Sequence, residues 1–305
     1  MASSRGQLIL VAALGIAITF VSLALIVNTV IFTENLATRE TIDGDRPVAF
    51  ERTVEESAAT LMGLVNRDNR TQSNDYSSIV SAYKYDVETM SHGNRLLGAS
   101  SGSLRSASVT SVQNGTQIVQ EETAEMHDDQ GNSTWRLATN VHDTRRFVLN
   151  VTEITNPPFV LNVTDGSDTW EMQVTDSGDF EIRTYVNGTH TGVTCTDPGD
   201  SVRIDVSSGV INGTPCSSFQ FGRDVSPPYT ITFEHSTNTT GSYHLIVDRQ
   251  VGEIDSTLDQ NYETDGSGPT LYTALYKATI DVTVRRPDLY YTANVTVEPE
   301  EPPGT

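Results

Sequence analysis

The chain has 305 residues, with 19 basic and 40 acidic side chains, a net charge of -21 at neutral pH and 36% apolar residues. So acidic a surface repels nucleic-acid phosphates and anionic lipid headgroups, which excludes a nucleic-acid-binding protein. Lys84 and Lys277 are the only lysines, and the composition suits multimolar salt, where a Debye length of about 3 Å or less removes the self-repulsion of the acidic groups.

From Leu8 to Phe32 the sequence reads LILVAALGIAITFVSLALIVNTVIF, 25 residues without a charge. As a helix this run is about 37 Å long, enough to cross a bilayer core. A removable secretory signal has a shorter apolar region followed by a small-residue cleavage site, whereas this run ends in NTVIFTENLATR. The reading is therefore a single transmembrane helix and stem over 7–42, kept in the mature protein. The leading tail, residues 1–6, carries Arg5 and no acid, so the positive-inside bias keeps the N-terminus in the cytoplasm and puts the C-terminal part outside the cell.

A basic residue, a small residue and a glutamine, Arg5-Gly6-Gln7, stand directly before that apolar run. This arrangement resembles the class III signal of archaeal type IV pilin-like proteins, and RGQLILVAALGIAITFVSLALIVNTVIFTENLATR is similar to the start of haloarchaeal pilin-like envelope proteins. The resemblance implies a cut by prepilin peptidase between Gly6 and Gln7 that leaves the helix attached. It also implies that the helix packs with other pilin-like subunits in a filament. Many pilins carry an acid at the fifth mature position, where this chain has Val11. The alternative is an uncut anchor that tethers a binding or adhesion module permanently to the membrane. The sequence does not identify a surface or S-layer partner.

Beyond the stem, Asp45 and Pro47 offer an N-cap and an early-turn proline. Phe50, Val54, Ala58, Leu61 and Val65 then recur at helical spacing, and Ile79, Tyr83, Val87 and Met90 repeat the pattern after a polar turn. These stripes predict a pair of helices over 46–95. A Ser/Gly linker over 96–103 follows. It contains Gly98-Ala99-Ser100-Ser101-Gly102, which matches the G-x-S-x-G nucleophile motif without the strand-then-helix context that motif requires.

From Leu104 the period changes to two. About ten short strands over 104–297, separated by turns such as Asp165-Gly166, Ser177-Gly178, Asn187-Gly188 and Asn212-Gly213, predict an antiparallel β-sandwich outside the cell, jelly-roll-like or immunoglobulin-like. Asn114-Gly115 reads as another hairpin turn, with Thr116 to Val119 as the returning strand. Trp135, Trp170, Phe180, Tyr229 and Phe233 are the candidate aromatic core. The tail over 298–305, EPEEPPGT, is Pro- and Glu-rich and is expected to be disordered.

Cys195 and Cys216, an even count in an exported domain, predict one disulfide. N-x-[ST] occurs at Asn69, Asn114, Asn132, Asn150, Asn162, Asn187, Asn212, Asn238 and Asn294, all on the outer side of the predicted membrane helix and all candidate glycosylation sites. No catalytic, cofactor-binding or metal-ligating set can be assembled. His92, His127, His142, His190, His235 and His244 stand alone in the sequence, Asp128-Asp129-Gln130-Gly131-Asn132 has neither a glycine nor a terminal glutamate at the EF-hand spacing of a calcium loop, and no nucleotide-binding loop occurs. The expectation is a non-enzymatic, cofactor-free surface protein.

Overall fold

A computed structural model describes residues 47–70, 75–100, 102–217, 219–254, 262 and 268–299. The apolar run and the Gly6-Gln7 junction lie outside the described residues, as does the tail from residue 300. Among the described residues no helix is long and apolar enough to cross a membrane.

Helix α1 occupies 47–69 and α2 Tyr76–Ser100. Asp75 caps α2: its Oδ1 accepts from the Ser77 N–H at 3.1 Å and its Oδ2 from the Ser78 N–H at 3.2 Å, with both serine hydroxyls adding bonds. Ile79, Tyr83 and Val87 are buried as their spacing predicts, and the stripe continues through two small residues, Ser91 and Gly98. These let the helix approach the strand that follows. The Ser91 hydroxyl accepts from the Ala107 N–H at 2.9 Å, and a Cβ on Gly98 would stand 2.7 Å from the Ser103 carbonyl. In α1 the buried position falls on Met62 rather than Leu61. The expected linker over 96–103 is therefore helical through Ser100, and the Ser100 hydroxyl donates back to the Leu97 carbonyl within the helix, unlike a strained nucleophile.

The remaining strands are β1 (Leu104–Glu125), β2 (Trp135–Val141), β3 (Thr144–Ile154), β4 (Phe159–Thr164), β5 (Thr169–Asp176), β6 (Phe180–Val186) and β7 (Thr189–Asp197). They continue with β8 (Val202–Asp205), β9 (Val210–Ile211), β10 (Thr214–Pro215), β11 (Tyr229–Glu234), β12 (Thr239–Val247), β13 (Thr270–Arg286) and β14 (Leu289–Val297). All pairings are antiparallel. They form an eight-stranded sheet in the order β10-β9-β8-β3-β12-β1-β13-β14 and a six-stranded sheet in the order β2-β11-β4-β5-β6-β7. The inward residues of both sheets share one core, so the domain is a β-sandwich. Phe233 of the six-stranded sheet sits at its centre, with its ring 5.0 Å from Phe159, 5.2 Å from Tyr243 and 5.8 Å from Trp135. Of the predicted aromatic core, Trp135, Trp170, Phe180 and Phe233 are buried while Tyr229 is only half-buried; Phe147, Phe159 and Tyr243 complete it.

One predicted turn is absent. β1 runs unbroken for 22 residues through Asn114-Gly115, and neither residue adopts a positive φ. Gly115 serves close approach instead, because a Cβ there would lie 2.4 Å from the Val247 carbonyl, and the pairing of β1 with β13 shifts register next to it, between Gln113 and Asn114. By contrast, Asn187-Gly188 and Asn212-Gly213 do form tight turns with positive φ at both residues.

Candidate functional site

On β3 the inward residues Phe147, Leu149 and Val151 alternate with Arg146, Val148 and Asn150, which face away from the core. Strand pairing extends that outer face sideways. Asn150 lies opposite Arg203 of β8 and opposite Ser242 of β12, and Val148 lies opposite Asp205 and His244. Arg70, at the C-terminal end of α1, reaches the same face. Arg70, Arg146, Asn150, Arg203, Ser242 and His244 line an open groove of about 200 Å³.

Arg70 is fixed by several partners. Its guanidinium donates to Gln117 Oε1 at 3.0 Å and 2.9 Å and to Glu121 Oε1 at 3.0 Å, and it lies 3.1–3.3 Å from both ring nitrogens of His244. A guanidinium only donates, so the His244 nitrogen facing it has to accept. His244 Nε2 is 3.1 Å from Gln117 Oε1, which only accepts. The consistent assignment is a neutral ring with the proton on Nε2, donated to Gln117, and with Nδ1 accepting from Arg70. Burial, then Arg70 and Arg146, hold the His244 pKa well below its usual value of 6.5.

Arg146 lies deeper. Burial, reinforced by the like charges of Arg203 and Arg70 and opposed by Asp205, lowers its pKa to about 10. The guanidinium of the exposed Arg203 makes no hydrogen bond or ion pair among the described residues. The floor is uncharged: the Asn150 amide donates to the Ser242 hydroxyl at 3.3 Å, which leaves the Ser242 proton available to a further acceptor. This collection of donors can give hydrogen bonds to an acceptor but holds no nucleophile beside a base.

The other predicted residues are dispersed. Cys195 and Cys216 are bonded, with Cα atoms 6.2 Å apart. Asp128 is buried, and its carboxylate accepts from the Gln130 N–H at 3.1 Å and the Asn132 N–H at 2.7 Å, so it organises its own turn. No group of three or more possible metal ligands occurs among the described residues. Of the sequons, Asn132, Asn187, Asn212 and Asn294 are exposed, whereas Asn114, Asn150, Asn162 and Asn238 are partly covered. Asn69 is buried, and the nitrogen that would carry a sugar donates to the Thr273 carbonyl at 3.0 Å and its hydroxyl at 2.7 Å. A glycan there would displace both bonds. Sequence reasoning missed Arg70, Arg146, Arg203 and the setting of His244. Strand alternation marks Arg146 and His244 as outward-facing, but only the pairing of β8, β3 and β12 brings them together.

Residues 2–133 match a protein family of unknown function (DUF7261). No curated protein matches the sequence. Among solved structures, a native heptameric SAP-like pentraxin from Limulus polyphemus is similar over 64% of this chain and 94% of its own, at 13% identity and a TM-score of 0.24.

Proposed function

We propose that the protein is a pilin-like structural subunit of the envelope of a halophilic archaeon, a minor component of a type IV pilus-like filament. In this reading the apolar helix stays with the chain after a cut before Gln7 and packs with other pilin-like subunits, while the sandwich forms the outer surface. The observation that supports an outside location best is the Cys195–Cys216 disulfide, a bond that persists in oxidising compartments. The exposed sequons agree with it. The two packed antiparallel sheets, with crossovers such as β1 to β2 and β3 to β4, suit a jelly-roll-like or immunoglobulin-like sandwich. A second reading, a permanently tethered binding module, is favoured by one feature, the arginine-lined groove.

Mass spectrometry of the mature N-terminus tests the first reading. A start at Gln7 or its pyroglutamate form is the expected result, and a Gly6→Trp variant should then stay unprocessed. A mature chain beginning at Met1 or Ala2 removes the ground for assembly and leaves the tethered module.

A further inference from the structure

We propose that the groove on the outer face of the eight-stranded sheet binds a tetrahedral oxyanion, a phosphate or sulfate group, between Arg146 and Arg203, with Arg70 also in its lining. The chain carries a net charge of -21, yet three arginines distant in sequence meet in one groove of about 200 Å³. Two acids stand near them. Glu121 is taken by Arg70, and Asp205 already accepts from the Ser207 hydroxyl at 2.9 Å and the Ser208 N–H at 3.0 Å. The cations therefore exceed the acids locally, although acids outnumber cations about two to one over the whole chain.

A purely structural cluster would place a carboxylate between its cations. Arg203 instead leaves its guanidinium without a partner among the described residues, beside a partly buried Arg146 that it repels. An anion between the two would replace that repulsion with attraction in both directions. The class of anion follows from the donors. Two planar guanidinium forks present paired N–H groups, which match the oxygen spacing of phosphate and sulfate, and the Ser242 hydroxyl below them can donate to a third oxygen. Val119, Val148 and Tyr243 supply its apolar lining, and the arginines and Ser242 supply the donors.

The same chemistry could come as the free ion or as an ester on a sugar. Isothermal titration of the full-length protein in detergent, at one fixed potassium chloride concentration that keeps it folded, would compare inorganic phosphate, inorganic sulfate, glucose 6-phosphate, glucose 6-sulfate and acetate. Saturable binding of the tetrahedral anions, tighter than acetate, is expected. Tighter binding of the esters than of the free ions would identify an ester as the ligand, and equal binding would identify the ion. Arg203→Ala, a change on the surface, should weaken binding roughly tenfold, the loss of one charge-assisted bidentate contact. Arg146→Gln should do the same if circular dichroism shows it folded. Arg183→Ala, on the six-stranded sheet, should leave binding unchanged. The proposal fails if no tetrahedral anion binds saturably, if acetate binds as well, or if Arg203→Ala binds like the parent. None of these outcomes bears on N-terminal processing, so the filament reading stands or falls separately.

Discussion

His244 is a residue whose state is dictated by its neighbours. Its position on β12 alternates outward between the buried Tyr243 and Leu245, and the face it joins carries Arg70 from the turn after α1, Arg146 from β3, and Glu121 and Gln117 from β1. With the ring half-buried and two guanidinium groups near, it stays neutral in the fold, and its pKa lies well below 6.5. The unfolded chain has no such penalty and takes up a proton near pH 6.5. Between that pH and the lower folded value the unfolded state binds more protons, so stability present above about pH 6.5 is lost as pH falls. Urea midpoints measured between about pH 7.5 and 5.5 should fall for the parent chain, and a His244→Gln variant should lose that part of the slope. Parallel curves for the two chains would show that the histidine titrates as it does in water.

At the scale of elements, α1 and β13 solve one problem between them. β14 pairs with β13 only from Ala278 to Arg286, so among the described residues the stretch before Ala278 has no strand on that side. Its outward backbone groups would be orphaned under a covering helix. Asn66 and Asn69 take the place of the missing strand. Asn66 donates to the Leu275 carbonyl at 3.0 Å and accepts from the Leu275 N–H at 2.8 Å, while Asn69 donates to Thr273. Gln117 of β1 adds a bond to the Asn66 carbonyl at 2.9 Å. Asn66→Ala should therefore destabilise the domain by about 2 to 3 kcal/mol, because it strands a buried donor and a buried acceptor together; denaturant unfolding measures this, and a loss below about 0.5 kcal/mol would mean that other groups satisfy Leu275. The same geometry predicts that glycopeptide mapping finds Asn69 unmodified even where Asn294, exposed on the edge strand β14, carries sugar.

The whole molecule was legible where a local period carried the information and obscure where a contact between distant segments did. Among the short strands expected over 104–297, Phe159–Thr164 and Tyr229–Glu234 are strands in the structure, because a strand carries its pattern in its own residues. Asn114-Gly115 misled, since its glycine is required by the nearby Val247 carbonyl, which no local pattern reveals. The arginine groove was hidden for the same reason, each arginine being ordinary until three strands and a helix end are placed side by side. The cysteines were readable as a pair, but their structural role depends on topology. Cys195 lies on β7, the edge of the six-stranded sheet, and Cys216 follows β10, the edge of the eight-stranded sheet, so the bond joins the two layers along one open side of the sandwich. It spans a sequence separation of 21, and a loop of that size restricts the unfolded chain by about 3 kcal/mol in the loop-entropy picture. Cys195→Ser with Cys216→Ser should therefore lower Tm by roughly 10 °C in a domain of this size. Scanning calorimetry of the parent and the double variant, in the same salt, measures the difference. Alkylation of the parent under denaturing conditions without reductant should label neither cysteine. Equal Tm values, or full labelling of the parent, would mean that the two sheets hold together along that side by packing of their apolar faces alone.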